Sequence, residues 1–253
     1  MKTILEAKGL NKVYGSDQKN TVLKNVNLEI VEGEFVSVMG PSGSGKSTLL
    51  YNISGLDQMT AGTVILEGQD VSFLSEKDLS RLRLHKIGFI FQQIHLLKNL
   101  SIFDNIILSA YLAKEDSRKE INKRAIELMK QTDIAELADH DITQASGGQL
   151  QRVAICRALI NNPPIIFGDE PTGALNSKAA GEIMDILANI NDSGTTILLV
   201  THDIKVAAKT ERVIYMLDGQ IVSEKQLGKY KKEVNNIKER EAKLSKWLSG
   251  MGF

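Results

Sequence analysis

The chain has 253 residues, 42% hydrophobic and 25% charged, with 31 Lys and Arg against 31 Asp and Glu. That length can bury a substantial core as one α/β domain, alone or with inserted lobes, and the zero net charge offers no general pull toward nucleic acid or an anionic membrane. One cysteine, Cys156, excludes an internal disulfide framework and fits a reducing compartment.

The opening MKTILEAKGL lacks the apolar stretch of a secretory leader. No window approaches the roughly 18 apolar residues of a spanning helix, so the chain reads as soluble, with any membrane role passing through a partner. Residues 1–35 read as short strands and turns; NVNLEI alternates Val26, Leu28 and Ile30 with polar residues, as a half-buried strand does. FVSVMG (35–40) leads into a glycine-rich loop, STLLYNISGL has helical character, and AGTVILEGQDV (61–71) reads as a hairpin. IGFIFQ (87–92), PIIFGDE (164–170) and TTILLVTHD (195–203) are short apolar strands that end in polar residues. From about 94 to 159 the pattern is helical, which makes an all-helical lobe inserted in a strand–loop–helix core. From Lys229 the chain is rich in Lys and Glu, and Tyr230, Val234, Ile237, Leu244 and Leu248 fall near one helical face.

The segment GPSGSGKST comprises Gly40, Pro41, Ser42, Gly43, Ser44, Gly45, Lys46, Ser47 and Thr48. It fits G-x-x-x-x-G-K-[ST] between a strand and a helix, the context this loop requires. The glycines let main-chain N–H groups face inward and the helix adds its positive end, a cradle for phosphate. Lys46 can reach β- and γ-phosphates, and the Ser47 hydroxyl is placed to bind Mg²⁺. A flexible Gly/Ser loop that fits by chance is the plainer alternative, and the flanking strand and helix weigh against it.

Three further strand ends carry groups of matching use. In parallel sheets ligands gather at the carboxyl ends of strands. Asp169 there can hold the metal through water, and Glu170 can orient or deprotonate an attacking water. Gln92 can contact metal or water without changing charge, and His202 can hydrogen-bond a γ-phosphate. Taken singly, each reads as ordinary polarity at a strand end; the constellation gives them meaning.

ASGGQLQR (145–152) sets Ser146, Gly147, Gly148 and Gln149 at the start of an amphipathic helix, a second anion-attracting helix terminus. A chain with one phosphate loop needs no second, unless it serves another molecule. With these motifs in this order, residues 3 to 224 resemble the ATP-binding cassette (ABC) ATPases. The resemblance implies a P-loop NTPase fold with a RecA-like core, an antiparallel β subdomain and an α-helical signature subdomain, over 1–228, followed by an amphipathic helical extension over 229–253. It implies ATP and Mg²⁺, adenine stacking on Tyr14, and phosphate binding by Gly40 to Thr48. It further implies metal contacts from Ser47, Gln92 and Asp169, and catalysis by Glu170 with Gln92 and His202. Ser146 to Gln149 would cap the nucleotide held by a second cassette, so the partners implied are a homodimer mate and an integral-membrane permease, on the inner face of the cell membrane. No nucleic acid partner is implied.

GPSGSGKSTLLYNISGLDQMTAGTV and DEPTGALNSK resemble the class that serves lipoprotein release, macrolide export and cell-division complexes, near the bacitracin and lantibiotic resistance exporters. Three positions depart from the family pattern: Ala145 stands where Leu is usual, Gly168 precedes Asp169, and Asn176 replaces an Asp in the turn between the two sites of a dimer. Asn keeps the turn and loses the charge. An alternative is a regulatory switch with little turnover, for which Asn176 is the hint. A soluble cassette of DNA repair or translation is disfavoured, because those usually carry tandem cassettes or long coiled-coil insertions. Residues 94–112 would receive the permease, or simply pack the lobe. Cys156 reads as a small buried hydrophobe, and His85, His95 and His140 show no ligand spacing. The tail, with seven Lys or Arg against three Glu, reads as a helix on the core, a docking element or a membrane-grazing one, and its removal is expected to leave ATP hydrolysis intact.

Overall fold

The computed structural model describes residues 2–15, 18–231 and 236–252. Two sheets organise the strands. β1 (Thr3–Tyr14) and β2 (Asn20–Val31) form a long antiparallel pair, and β1 also pairs with β4 (Ala61–Leu66), which turns into β5 (Gln69–Asp70). Val26, Leu28 and Ile30 of β2 are buried between exposed neighbours, so the alternation is that of a sheet with one wet face.

The second sheet has β3 (Phe35–Met39), β6 (Ile87–Ile90), β7 (Ile165–Asp169), β8 (Thr196–Val200), β9 (Arg212–Leu217) and β10 (Gln220–Gln226) in the order β10-β9-β3-β8-β7-β6. The pairs β9–β3, β3–β8, β8–β7 and β7–β6 are parallel, and β10 closes the far edge antiparallel to β9. Every residue of β3, β7 and β8 is buried. That is why their sequences run apolar without alternation: the antiparallel sheet and the helix 46–53 cover one face, and the helices 147–159 and 177–192 the other.

The helices are α1 (Lys46–Ile53), α2 (Glu76–Lys86), α3 (Ile102–Ala113), α4 (Arg118–Gln131), α5 (Gly147–Leu159), α6 (Ser177–Asp192), the short α7 (Ile204–Ala207) and α8 (Ile237–Ser249). Side-chain caps start most of them: Ser75, Ser101, Ser117, Ser146 and Asn176 each accept an N–H from the first turn. α3, α4 and α5 bury Ile102, Ile106, Ile121, Met129, Val153 and Cys156 against one another, so the helical lobe has a core of its own. The sequence reading passed over α2, which buries only Leu79 and Leu82.

The tail differs from its expected form. Its helix begins at Ile237, with Tyr230 before it and Val234 outside the described residues. Leu244 and Leu248 are fully covered by Met39, Ala207, Ala208, Val213 and Tyr215. Arg240, 7% exposed, donates to the carbonyls of Ala208 (2.7 Å), Leu227 (2.8 Å), Thr210 (2.8 Å) and Gly228 (2.9 Å). α8 is therefore part of the packed body and seals the strand that feeds the glycine loop.

Candidate functional site

The parallel order puts the ends of β3, β8, β7 and β6 side by side, so the glycine loop, His202, the Asp169–Glu170 pair and Gln92 emerge on one edge. After β3 the chain enters the loop at Gly40, whose φ of +152° and packing exclude a side chain: a Cβ there would lie 2.1 Å from the Met216 carbonyl oxygen. Gly45, at φ +96° in the left-handed region, makes the turn into α1. Lys46 opens that helix and is buried, its ammonium donating to the carbonyls of Gly40 (2.9 Å) and Pro41 (2.8 Å). Two neutral acceptors leave one N–H for an anion. Burial holds this ammonium below its ordinary value, against the opposing pull of Glu170 and Asp169.

Asp169 ends β7 at 7% exposure with both oxygens engaged. The Ser47 hydroxyl donates to Oδ1 at 2.9 Å and the Tyr51 hydroxyl to Oδ2 at 2.6 Å. Ser47 and Tyr51 stand one turn apart on α1 and so share a face. Burial, then the bond to Asp169, push the Tyr51 phenol up to about 12, which keeps it a donor at neutral pH.

Glu170 occupies a left-handed backbone position, φ +46°, uncommon for a residue with a side chain. Its N–H is bonded to the Val200 carbonyl at 3.1 Å, tying the turn to β8. One carboxylate oxygen lies 3.1 Å from His202 Nδ1 and the other 3.5 Å from Gln92 Nε2. Three predicted residues from three strand ends thus converge on one carboxylate. Beside them is a cavity of about 680 Å³ lined by Asn20, Val22, Ser42, Lys46, Thr48 and Glu170 among others. That is ample for a nucleotide-sized ligand.

Tyr14 ends β1 with its ring 42% exposed. Its hydroxyl donates to Asp57 Oδ2 at 2.6 Å, Asp57 Oδ1 accepts from Lys12 at 2.7 Å, and the Lys12 ammonium lies 4.5 Å from the ring centroid. Burial, then Asp57, push the phenol up to about 12. One ring face is thus occupied by a cation, on the strand pair that places Asn20, the partner of Tyr14, in the glycine-loop cavity.

The second helix terminus lies elsewhere. Ser146 and Gln149 satisfy each other in a capping box, Ser146 N–H donating to Gln149 Oε1 at 2.8 Å and Gln149 N–H to Ser146 Oγ at 3.4 Å. Ser146 to Gln149 share a cavity of about 450 Å³ with Ala174, Leu175 and Asn176. Among the described residues, none lines both this cavity and the glycine-loop cavity. The turn after β7 runs between them, with Glu170 on one and Asn176 on the other. A Cβ on Gly173 would stand 3.1 Å from Gln92 Nε2 and 3.2 Å from Glu170 Oε2, so this turn is packed directly on the carboxylate.

Sequence reasoning did not single out Tyr51, Asn20, Lys12 or Asp57. For Tyr51 a signal existed, the four-residue step from Ser47; for the others the pairing depends on long-range approach of strands.

A glycine loop between a parallel strand and a helix, with a buried lysine and acids at the end of another strand of the same sheet, defines a P-loop nucleotide-binding protein. The family profile described as ABC transporter matches residues 23–173, more than half of the chain. The chain is 46% identical over 229 residues to the ABC transporter ATP-binding protein MJ0796 of Methanocaldococcus jannaschii, covering 88% of this chain and 97% of that one. It is 41% identical over 230 residues to the lipoprotein-releasing system ATP-binding protein LolD of Leptospira interrogans, covering 90% and 95%. To the macrolide export ATP-binding/permease protein MacB of Escherichia coli it is 44% identical over 227 residues, 88% of this chain but 35% of MacB. A dimeric structure of MJ0796 in a post-hydrolysis state with ADP and Pi aligns at a TM-score of 0.82 and 44% identity, over 89% of this chain and all of that one. The chain belongs to the ABC transporter family, as an ATP-binding and ATP-hydrolysing cassette with the P-loop NTPase fold. No helix of the described residues is long and apolar enough to cross a membrane.

Proposed function

We propose that two copies of this cassette close on two ATP molecules and drive a separate integral-membrane permease, from the inner face of the membrane, in a system for expelling or extracting amphipathic molecules such as macrolides, lipoproteins or antimicrobial peptides. The observation that carries this reading is the separation of two anion-ready helix termini within one chain. The glycine loop shares its cavity with Glu170 and His202, and Gln92 reaches the same Glu170 carboxylate, whereas Ser146 to Gln149 face a separate cavity whose own carboxylates, Asp133, Glu136 and Glu182, do not stand at a strand end. A second copy, related by two-fold symmetry, brings each to the other, and a dimer was found for the relative MJ0796. The names of LolD and MacB support the class of system. The cassette proper spans 1–228 with a helical subdomain at about 94–159. Residues 229–253 are an extension, whose helix Ile237–Ser249 is docked on it.

Each residue has a part in hydrolysis. Tyr14 stacks the adenine with its open face, Gly40 to Thr48 wrap the phosphates, and Lys46 turns from the loop carbonyls to the β- and γ-phosphates. Glu170 accepts the proton of a water as its oxygen bonds to the γ-phosphorus and the bond to the β-phosphate oxygen breaks. His202 holds Glu170 in place and reaches the γ-phosphate, and Gln92 orients the water. Ser146 to Gln149 cover the γ-phosphate of the opposite copy. Asn176 lies in the turn that links the two sites.

The donor set suits Mg²⁺. The Ser47 hydroxyl and the Asp169 carboxylate are hard oxygens beside the phosphate loop, with Gln92 on the adjacent Glu170 carboxylate, and Mg²⁺ uses one or two such groups plus phosphates and waters. No cluster of three metal-binding His, Cys, Asp or Glu occurs among the described residues. When bound, the ion neutralises charge on the β- and γ-phosphates.

Glu170→Gln tests the assignment. Loss of a general base lowers turnover about 100-fold or more, and the variant should accumulate as an ATP-bound dimer by size-exclusion chromatography with light scattering. Hydrolysis at the parent rate would show that Glu170 is not the base. Adding the permease to the parent separates an engine from a switch: strong stimulation supports the engine, and ATP-dependent association with almost no turnover supports the switch.

A further inference from the structure

The Tyr51 hydroxyl is bonded to the buried carboxylate beside the phosphate loop, yet none of the roles above uses it. We propose that Tyr51 is a positioning residue that fixes the plane of the Asp169 carboxylate for Mg²⁺, an inference that rests on the reading of Asp169 as the metal carboxylate. A carboxylate turns easily about its last side-chain bond, because that torsion is broad. The single bond from Ser47 to Oδ1 leaves this rotation open. The second bond, from Tyr51 to Oδ2 at 2.6 Å, closes it.

The position of the phenol is set by packing and not by the loop. The Tyr51 ring lies 6.0 Å from the Phe89 ring, and Phe89 in turn lies 4.2 Å from Phe91 and 6.4 Å from Phe167. Phe89 and Phe91 lead to Gln92 along the β6 direction, and Phe167 lies two residues before Asp169 on β7. The hydroxyl is therefore held from the two strands that deliver Gln92 and Asp169, by a side chain with only two torsions. Partners of this kind, one bond behind a metal ligand, typically change metal affinity about 10- to 100-fold when removed.

Tyr51→Phe removes the hydroxyl and keeps the ring, so folding is retained, which a thermal melt checks. The measurement is the affinity of the full chain for a fluorescent non-hydrolysable ATP analogue, in EDTA and across a Mg²⁺ titration. For Tyr51→Phe the affinity in EDTA should stay within about twofold of the parent, while the gain on adding Mg²⁺ shrinks about tenfold. Electron paramagnetic resonance of Mn²⁺ with the same analogue should show the same loss of metal affinity directly. A ring that merely packs would shift both affinities together or neither. Asp169→Asn serves as the reference: if it abolishes the Mg²⁺ gain while Tyr51→Phe keeps the parent's gain, the role of Tyr51 is refuted and that of Asp169 stands. If Asp169→Asn also keeps the gain, the metal reading itself fails.

Discussion

Arg240→Ala measures how far the C-terminal helix belongs to the cassette. The side chain is 7% exposed and gives its guanidinium donors to four main-chain carbonyls. Hydrogen bonds from a charged group contribute about 1.5–3 kcal/mol each, before the cost of burying the charge. Burial holds this guanidinium below its ordinary value, with Tyr230 opposing, so that cost is present and the four bonds do not simply add. Two of the carbonyls, those of Leu227 and Gly228, lie in an open stretch before the helix and regain water in the variant. That leaves about 3 kcal/mol, chiefly from the carbonyls of Ala208 and Thr210 inside the body. For a chain of this size each kcal/mol moves Tm by about 2–4 °C, so the expected fall is about 6–12 °C. Differential scanning fluorimetry without nucleotide reads it. Arg240→Lys should recover only part of the loss, because an ammonium cannot serve four carbonyls spread around a planar fork. A Tm for Arg240→Ala within about 2 °C of the parent would refute the reasoning and return the helix to the status of an appendage.

Tyr14→Ala should raise KM for ATP about tenfold with kcat nearly unchanged, since a base–aromatic stack contributes about 1–3 kcal/mol. Competition by inorganic tripolyphosphate, which has no base to stack, should be unaffected; an equal loss there would mean the ring supports the loop and not the adenine. Cys156 is fully buried with its sulfur 3.1 Å from Thr132 Oγ1, and burial pushes the thiol up to about 12. The folded protein should therefore resist a disulfide reagent at pH 8 that titrates the urea-unfolded chain completely, and prompt reaction of the folded form would contradict that burial.

The nucleotide half of the site was legible because it is local. A glycine loop and its lysine are contiguous, and an apolar strand that ends in two acids declares its own geometry. Convergence of four strand ends followed from parallel order, which apolar runs of strand length suggest. Tyr51 was harder: its partner lies 118 positions away, and a tyrosine four residues beyond Ser47 reads as helix packing until the sheet places Asp169 under it. α2 was missed because two buried leucines among charged residues give little periodic signal. The tail was placed seven or eight residues too early, since an apolar stripe can be extended backward by chance. Asn236, which caps the helix by accepting the Lys238 N–H at 3.1 Å, marks the true start. Arg240 shows the deeper limit. Nothing local distinguishes a lysine-rich solvated face from one whose arginine is taken up by four distant carbonyls.

Asn176 can now be divided into what the fold requires and what it does not. Its Oδ1 accepts the Ala179 N–H at 2.9 Å and so starts α6. Asn and Asp are near equals as helix caps, so this structural duty does not discriminate between them. Charge does: a carboxylate at a helix N-terminus gains about 0.3–1 kcal/mol, and Asn forgoes it. The turn is compact, with Gly173 against the Glu170 carboxylate and Asn176 lining the cavity of Ser146 to Gln149. An Asp at 176 would add one more negative charge to a cavity that Asp133, Glu136 and Glu182 already line beside Arg152, where the proposed dimer receives the partner's phosphates. An uncharged cap removes that repulsion while the hydrogen bond keeps the turn in register. In the proposed dimer, Asn176 thus bears on closure and reopening through its missing charge, while its hydrogen bond leaves the turn after Glu170 in place.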